Sequence, residues 1–178
     1  MAPLTAGEVA VGLLVRQAVT DRDQATANAG FLLDRCVEDL TVVQAMTARI
    51  GRAADIRAQR PRAAEEIRAI RATMRACAAA ISGGRATAGT VAGLRTAVVR
   101  LRFIRPAAPT LDSADTGNPL YNITIWLLDV ISDCGTILHA QRVLDTAACC
   151  GVTDSMRSAR LDLHRTVSVD LSVAVRPV

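Results

Sequence analysis

The sequence predicts a mainly α-helical fold, a bundle of four or five helices followed by a C-terminal strand or extended arm. Three observations predict it. Apolar residues recur at three- and four-residue steps over long stretches, the spacing of one helical face. The apolar half of the composition is mostly Ala, Leu, Val and Ile, and Phe31, Phe103, Tyr121 and Trp126 are its whole aromatic complement, which suits close helix packing. Helix start and stop signals fall between the periodic stretches.

The elements follow in chain order. Thr5 and Glu8 have capping-box spacing, so a first helix is expected over about residues 6–19, although Val9 to Val15 also reads as a strand. Thr20 and Asp21 offer a stop and a new N-cap. Leu33, Val37, Leu40, Val43, Met46, Ile50 and Ala54 then form an amphipathic stripe. Pro61 is expected to end that helix and open the next one. Ala63, Ile67, Ile70, Met74, Cys77 and Ile81 form a heptad seam, stopped by Ser82-Gly83-Gly84. Val91, Leu94, Val98 and Leu101 mark a further helix, whose end, 98–103, also alternates like a strand. Gly89 and Gly93 in this segment suggest close helix packing. Residues 105–117 read as a loop. Asn118-Pro119 is an N-cap and first helical residue for a long helix, about 45 Å at 1.5 Å per residue, carrying Leu120, Ile123, Leu127, Ile131, Cys134, Leu138 and Leu144 towards Gly151.

The period then changes to two. Val167, Val169, Leu171, Val173 and Val175 alternate with small and polar residues, a strand pattern nearly alone in a helical chain. Unpaired strand edges invite pairing with another chain, so these five residues are the expected oligomerisation segment. The division expected is a helical bundle domain over 1–165 and a C-terminal strand or arm over 166–178.

Charge is the most informative functional signal. All twenty-one basic side chains are arginine, a forked and permanently charged donor suited to phosphate and carboxylate. Residues 1–48 hold three Arg against six acids, residues 49–105 thirteen against three, and residues 106–178 five against eight. A net charge of +10 sits in the middle of a chain whose total is +4. Arg49, Arg52 and Arg60, then Arg68, Arg71 and Arg75, then Arg95, Arg102 and Arg105 recur along successive helical segments and are the candidate polyanion or nucleic-acid contacts. Aromatic interleaving for base stacking is missing, which favours sequence-tolerant contact with a phosphate backbone.

Catalytic and metal patterns do not emerge. His139 and His164 lack ligand neighbours at metal-binding spacing, and there is no Cys-x-x-Cys pair. Gly83-Gly84 opens no phosphate loop, and no lysine exists to complete one. Asp129 and Asp133 lie one helical turn apart, ordinarily a solvated face. The five cysteines are an odd number, and Cys36, Cys77 and Cys134 fall on apolar stripes as buried thiols. Glu8 interrupts the apolar N-terminal run that a secretory signal needs, and no uninterrupted apolar run reaches the roughly 18 residues of a membrane span.

The expectation is therefore no enzyme, no cofactor, no metal and no membrane span. The reading is a non-enzymatic, self-assembling structural protein of the viral or phage coat or capsid type. Its partners would be copies of itself and an RNA or DNA backbone contacted without sequence specificity. The plan, a helical bundle with an arginine cluster and extended ends, resembles that of rod-shaped virus coat proteins, without a shared motif. Its place would be the virion if viral and the cytoplasm otherwise. The alternative is a helical adaptor, chaperone or effector module that binds another protein.

Overall fold

The computed structural model describes residues 5–49, 54–107 and 117–149. The described elements are all helical: α1 (Ala6–Arg49), α2 (Ala54–Ser82), α3 (Ala88–Leu101), a 3-10 turn (Arg105–Ala107) and α4 (Pro119–Cys149). The chain is a mainly α-helical bundle. Its described residues divide into two compact units, 21–139 and 5–20 together with 140–149.

Helix ends follow local chemistry. At the start of α1, the Thr5 backbone N–H donates to Glu8 Oε2 at 2.7 Å and the Glu8 N–H donates to Thr5 Oγ1 at 3.3 Å, the reciprocal capping box. The hydrogen bonds from Thr5 hold the Glu8 carboxyl below its ordinary pKa. Asn118 caps α4, its Oδ1 accepting from the Leu120 N–H at 3.0 Å, with Pro119 at the first helical position. Helix α2 ends in a Schellman turn. Gly84 N–H donates to Ile81 O at 2.7 Å and Arg85 N–H to Ala80 O at 3.4 Å, and Gly84 takes the left-handed φ of 65° that this turn requires.

Two expectations are corrected, and one choice left open is decided. First, α1 runs unbroken through Thr20 and Asp21. Thr20 Oγ1 donates to Arg16 O at 3.1 Å, satisfying itself within the helix instead of capping a new one, and no glycine or proline nearby forces a break. Residues 9–15 are accordingly helix. Second, Pro61 lies inside α2, which is already helical from Ala54. A mid-helix proline loses one backbone hydrogen bond, at a cost of about 3 kcal/mol. The seven residues ahead of it are rich in Ala, Arg and Gln, which carry the helix through. Third, residues 98–101 are the end of α3 and residues 102–104 form turns, so the alternation there is not a strand. The expected C-terminal strand, with Val167, Val169, Leu171, Val173 and Val175, lies outside the described residues, as does Arg52.

Within residues 21–139 the helices alternate in direction. Arg71 of α2 reaches Thr41 and Gln44 of α1, while Gly84 at the far end of α2 lies beside Arg22 of α1. Cys77 and Glu66 of α2 meet Thr90 and Arg100 of α3. Asn28, Cys36 and Asp39 of α1 meet Asp133, Ile123 and Asn122 of α4. In each pair the residue numbers run oppositely, so α1 is antiparallel to α2 and α4, and α2 to α3. The seam of α2, from Ala63 through Ile67, Ile70, Met74 and Cys77 to Ile81, is buried throughout. It joins Leu33, Leu40, Leu94, Leu101, Ile123 and Leu127 in one apolar core. Close approach of α2 and α3 needs a small residue: a Cβ on Gly93 would lie 3.4 Å from Thr73 Cγ2 and 3.5 Å from Cys77 Sγ.

By length and composition α4 is apolar enough to cross a bilayer, a test that the core helix of a bundle also passes. Here Leu120, Ile123, Leu127, Val130, Cys134 and Ile137 of α4 are buried against the other helices.

Candidate polyanion-binding surface

The basic middle of the chain folds into one hairpin. Helices α2 and α3 with the turns that follow, residues 54–107, hold eleven Arg against three acids, a net +8. The α1 and α4 segments 21–49 and 119–139 hold three Arg against seven acids, a net −4. Antiparallel pairing of α2 with α3, and of α1 with α4, thus turns a charge pattern along the chain into one across the bundle.

The arginines fall into two groups. Arg68, Arg71 and Arg75 share the edge of α2 beside α1. Arg71 Nη1 donates to Gln44 Oε1 at 3.2 Å and its Nη2 to Thr41 Oγ1 at 3.3 Å. Arg68 Nε donates to Ala64 O of its own helix at 3.4 Å. Both Arg68 and Arg75 are exposed. The second group surrounds Phe103. The guanidinium carbons of Arg62 and Arg102 each lie 4.7 Å from its ring centroid. Such contacts are worth roughly 1 kcal/mol at a half-exposed site. Beside them Arg100 Nη1 donates to Glu66 Oε2 at 2.8 Å. With the acid largely buried and the arginine partly exposed, that pair is worth about 1 kcal/mol at most.

Phe103, partly buried, is the aromatic side chain among these arginines, and two guanidinium groups lie over its ring. Arg95 and Arg105 are exposed, on α3 and in the 3-10 turn, and Arg60 is partly buried on α2. Arg68, Arg71, Arg75, Arg95 and Arg102 form no ion pair with any described residue. Of the nine arginines expected to act together, the structure gathers Arg68, Arg71 and Arg75 on α2, places Arg102 and Arg105 near the Phe103 end, and carries Arg95 on α3 two turns before Arg102. The side chains of Arg49 and Arg52 lie outside those described. Arg62 and Arg100 were not legible as members, because their partners Phe103 and Glu66 lie 41 and 34 residues away.

Other chemistry is sparse. A groove of about 260 Å³ between α1 and α4 is lined by Asp21, Gln24, Asn28, Asp133 and Thr136. Asn28 Nδ2 donates to Asp133 Oδ2 at 2.7 Å. Burial, with Asp129 adding to it, raises the Asp133 carboxyl above its ordinary pKa against the opposing effect of that hydrogen bond. No nucleophile–base pair faces this groove. Among the described residues no three His, Cys, Asp or Glu side chains gather as a metal site. Cys36, Cys77 and Cys134 are buried free thiols, and Cys149 is exposed. Burial pushes Cys36 up to about 12 and Cys134 up to about 11, so neither is a reactive thiolate. Asn122 is half-buried on α4, and its Nδ2 donates to Asp39 Oδ2 at 3.4 Å.

No protein-family model, curated protein or solved structure matches the chain.

Proposed function

We propose that this protein is a non-enzymatic, self-assembling structural protein that holds polyanions, in particular a nucleic-acid backbone, through the arginines of α2 and α3. One observation carries the reading: five arginines of the basic hairpin face solvent or neutral groups, unneutralised by any described carboxylate. An arginine surface of this kind attracts phosphate by charge and by its forked donors. The guanidinium cover on Phe103 favours backbone contact over base stacking. Self-assembly is favoured by the separation of charge, since a subunit with one acidic and one basic helix pair attracts its own copies. A coat or capsid subunit is the structural role that uses both properties.

The test is retention on heparin and on single-stranded RNA across a salt series, beside size-exclusion chromatography with light scattering before and after nuclease. The wild type should be retained at low salt, with log affinity falling linearly in log salt. The triple change Arg68→Gln, Arg71→Gln, Arg75→Gln should reduce that slope by about two, at roughly 0.7 to 0.9 per lost phosphate contact. Absence of retention at 50 mM salt would remove the polyanion part of the proposal.

A further inference from the structure

Among the described residues, nothing covers the apolar outer face of the α1–α4 pair. On α1, Phe31, Arg35, Glu38 and Val42 step by four, three and four along one exposed stripe, and Phe31 is 63% exposed. On α4, Tyr121, Ile125 and Leu128 step by four and three, and Leu128 is 49% exposed. Arg35 joins the two stripes, its guanidinium lying 5.8 Å from the Trp126 ring centroid while its Nη1 donates to Glu38. A Phe, Leu, Ile and Val set this open to water costs solvation free energy that docking would recover. Exposed acids border it, namely Asp34 and Glu38 on α1 and Asp129 on α4.

The α2–α3 side carries the complement. Ala72 and Ala76 of α2 and Ala92, Thr96 and Val99 of α3 are exposed and mostly small, and Thr96 Oγ1 is already satisfied by Ala92 O. The exposed Arg68 and Arg75 stand along one helix of this flat strip and Arg95 and Arg102 along the other. One side is bulky, apolar and edged with acids, on helix segments that carry a net −4 in all; the other is flat and edged with arginines, on a hairpin that carries a net +8 in all.

We infer that the α1–α4 face is a docking site for a second copy of this chain, which seats its α2–α3 face on it, so that copies associate head to tail. This rests on the self-assembly reading above and names the two surfaces involved. Charge decides the arrangement. Two α1–α4 faces meeting each other would set Asp34, Glu38 and Asp129 against their own copies, whereas the heterologous pairing sets them against Arg68, Arg75, Arg95 and Arg102. The surplus of positive charge stays with the chain of subunits and is available to a polyanion. Size sets the strength. The apolar stripe from Phe31 to Val42 is about 17 Å long and the two helices are together about 20 Å wide, roughly 340 Å², from the helical rise and the spacing of two helices. That is below the roughly 800 Å² per partner of a standard stable interface, so the contact is weak, salt-dependent and additive along a filament.

Sedimentation velocity of the nuclease-treated full chain at 50 and 500 mM salt tests the inference. The wild type should associate at low salt and dissociate at high salt. Variant one carries Glu38→Arg and Asp129→Arg, and variant two carries Arg68→Glu and Arg95→Glu. Each should be monomeric alone, with unchanged helical circular dichroism, and an equimolar mixture should associate again. Phe31→Ser with Leu128→Ser should weaken wild-type association at least ten-fold, an effect that unspecific charge attraction would not give. Persistent association of variant two alone would mean that like faces pair, and would overturn the head-to-tail assignment while sparing self-assembly. A mixture that stays monomeric while the wild type associates would do the same. A wild type monomeric at every salt concentration would overturn this inference and the self-assembly reading together, leaving heparin and RNA retention to decide the polyanion reading separately.

Discussion

Ile70 is the sharpest probe of the bundle. It sits mid-seam on α2 and is fully buried within the apolar core. Ile70→Ala deletes three side-chain carbons. At about 0.8 kcal/mol each, the transfer loss is about 2.4 kcal/mol. The space left behind adds about 1 to 2 kcal/mol, depending on how far the surrounding core side chains relax, since cavities cost about 24 cal/mol per Å³. The expected destabilisation is therefore about 3 to 4 kcal/mol. That is a large fraction of a typical stability of about 5 to 15 kcal/mol. In Tm it corresponds to a fall of about 10 °C for a protein of this size. Urea unfolding followed by circular dichroism at 222 nm measures it, with an unchanged m-value required for a clean comparison. Arg68→Ala on the exposed face is the control and should stay within about 0.5 kcal/mol. A loss below about 1 kcal/mol for Ile70→Ala, or one equal to the control, would refute the claim that this seam forms the core.

Two further outcomes follow from local chemistry. Gly84→Ala should destabilise by about 1 kcal/mol, because a Cβ at φ 65° is strained. A Cβ there meets Arg22 no closer than 3.7 Å, so sterics add nothing and thermal melts should report the backbone cost alone. Alkaline pH should destabilise the fold in proportion to its buried thiols. An unfolded cysteine ionises near 9.0, while native Cys36 keeps its proton to about 12. The native state thus binds the extra proton, and its advantage, complete below pH 9, is lost between about pH 9 and 12, by about 1.4 kcal/mol per pH unit. Urea midpoints from pH 8 to 11 should therefore fall more steeply for the wild type than for Cys36→Ser. Equal slopes would contradict a buried, protonated Cys36.

Several features were legible in the residues because the information they need is local. The α2 seam from Ala63 to Ile81 is a matter of spacing within one helix. The Thr5–Glu8 box, the Asn118-Pro119 start of α4 and the Ser82-Gly83-Gly84 stop each involve groups no more than a few residues apart. The charge blocks were equally plain, being counts. Local rules failed where two of them competed: Thr20 and Asp21 resembled a cap, and Pro61 resembled a start, yet both lie within continuous helices.

What only the tertiary structure decided is which distant residues meet. Antiparallel packing set the basic α2–α3 hairpin apart from the acidic α1–α4 pair, gave Arg71 to Thr41 and Gln44, gave Arg100 to Glu66, and laid Arg62 and Arg102 on Phe103. Helical hydrogen bonds close over four residues, so periodicity carries their pattern. Contacts between helices depend on register and on the order of packing, set by core side chains such as Ile70, Leu94 and Ile123 acting at once, and no short window of the chain contains them.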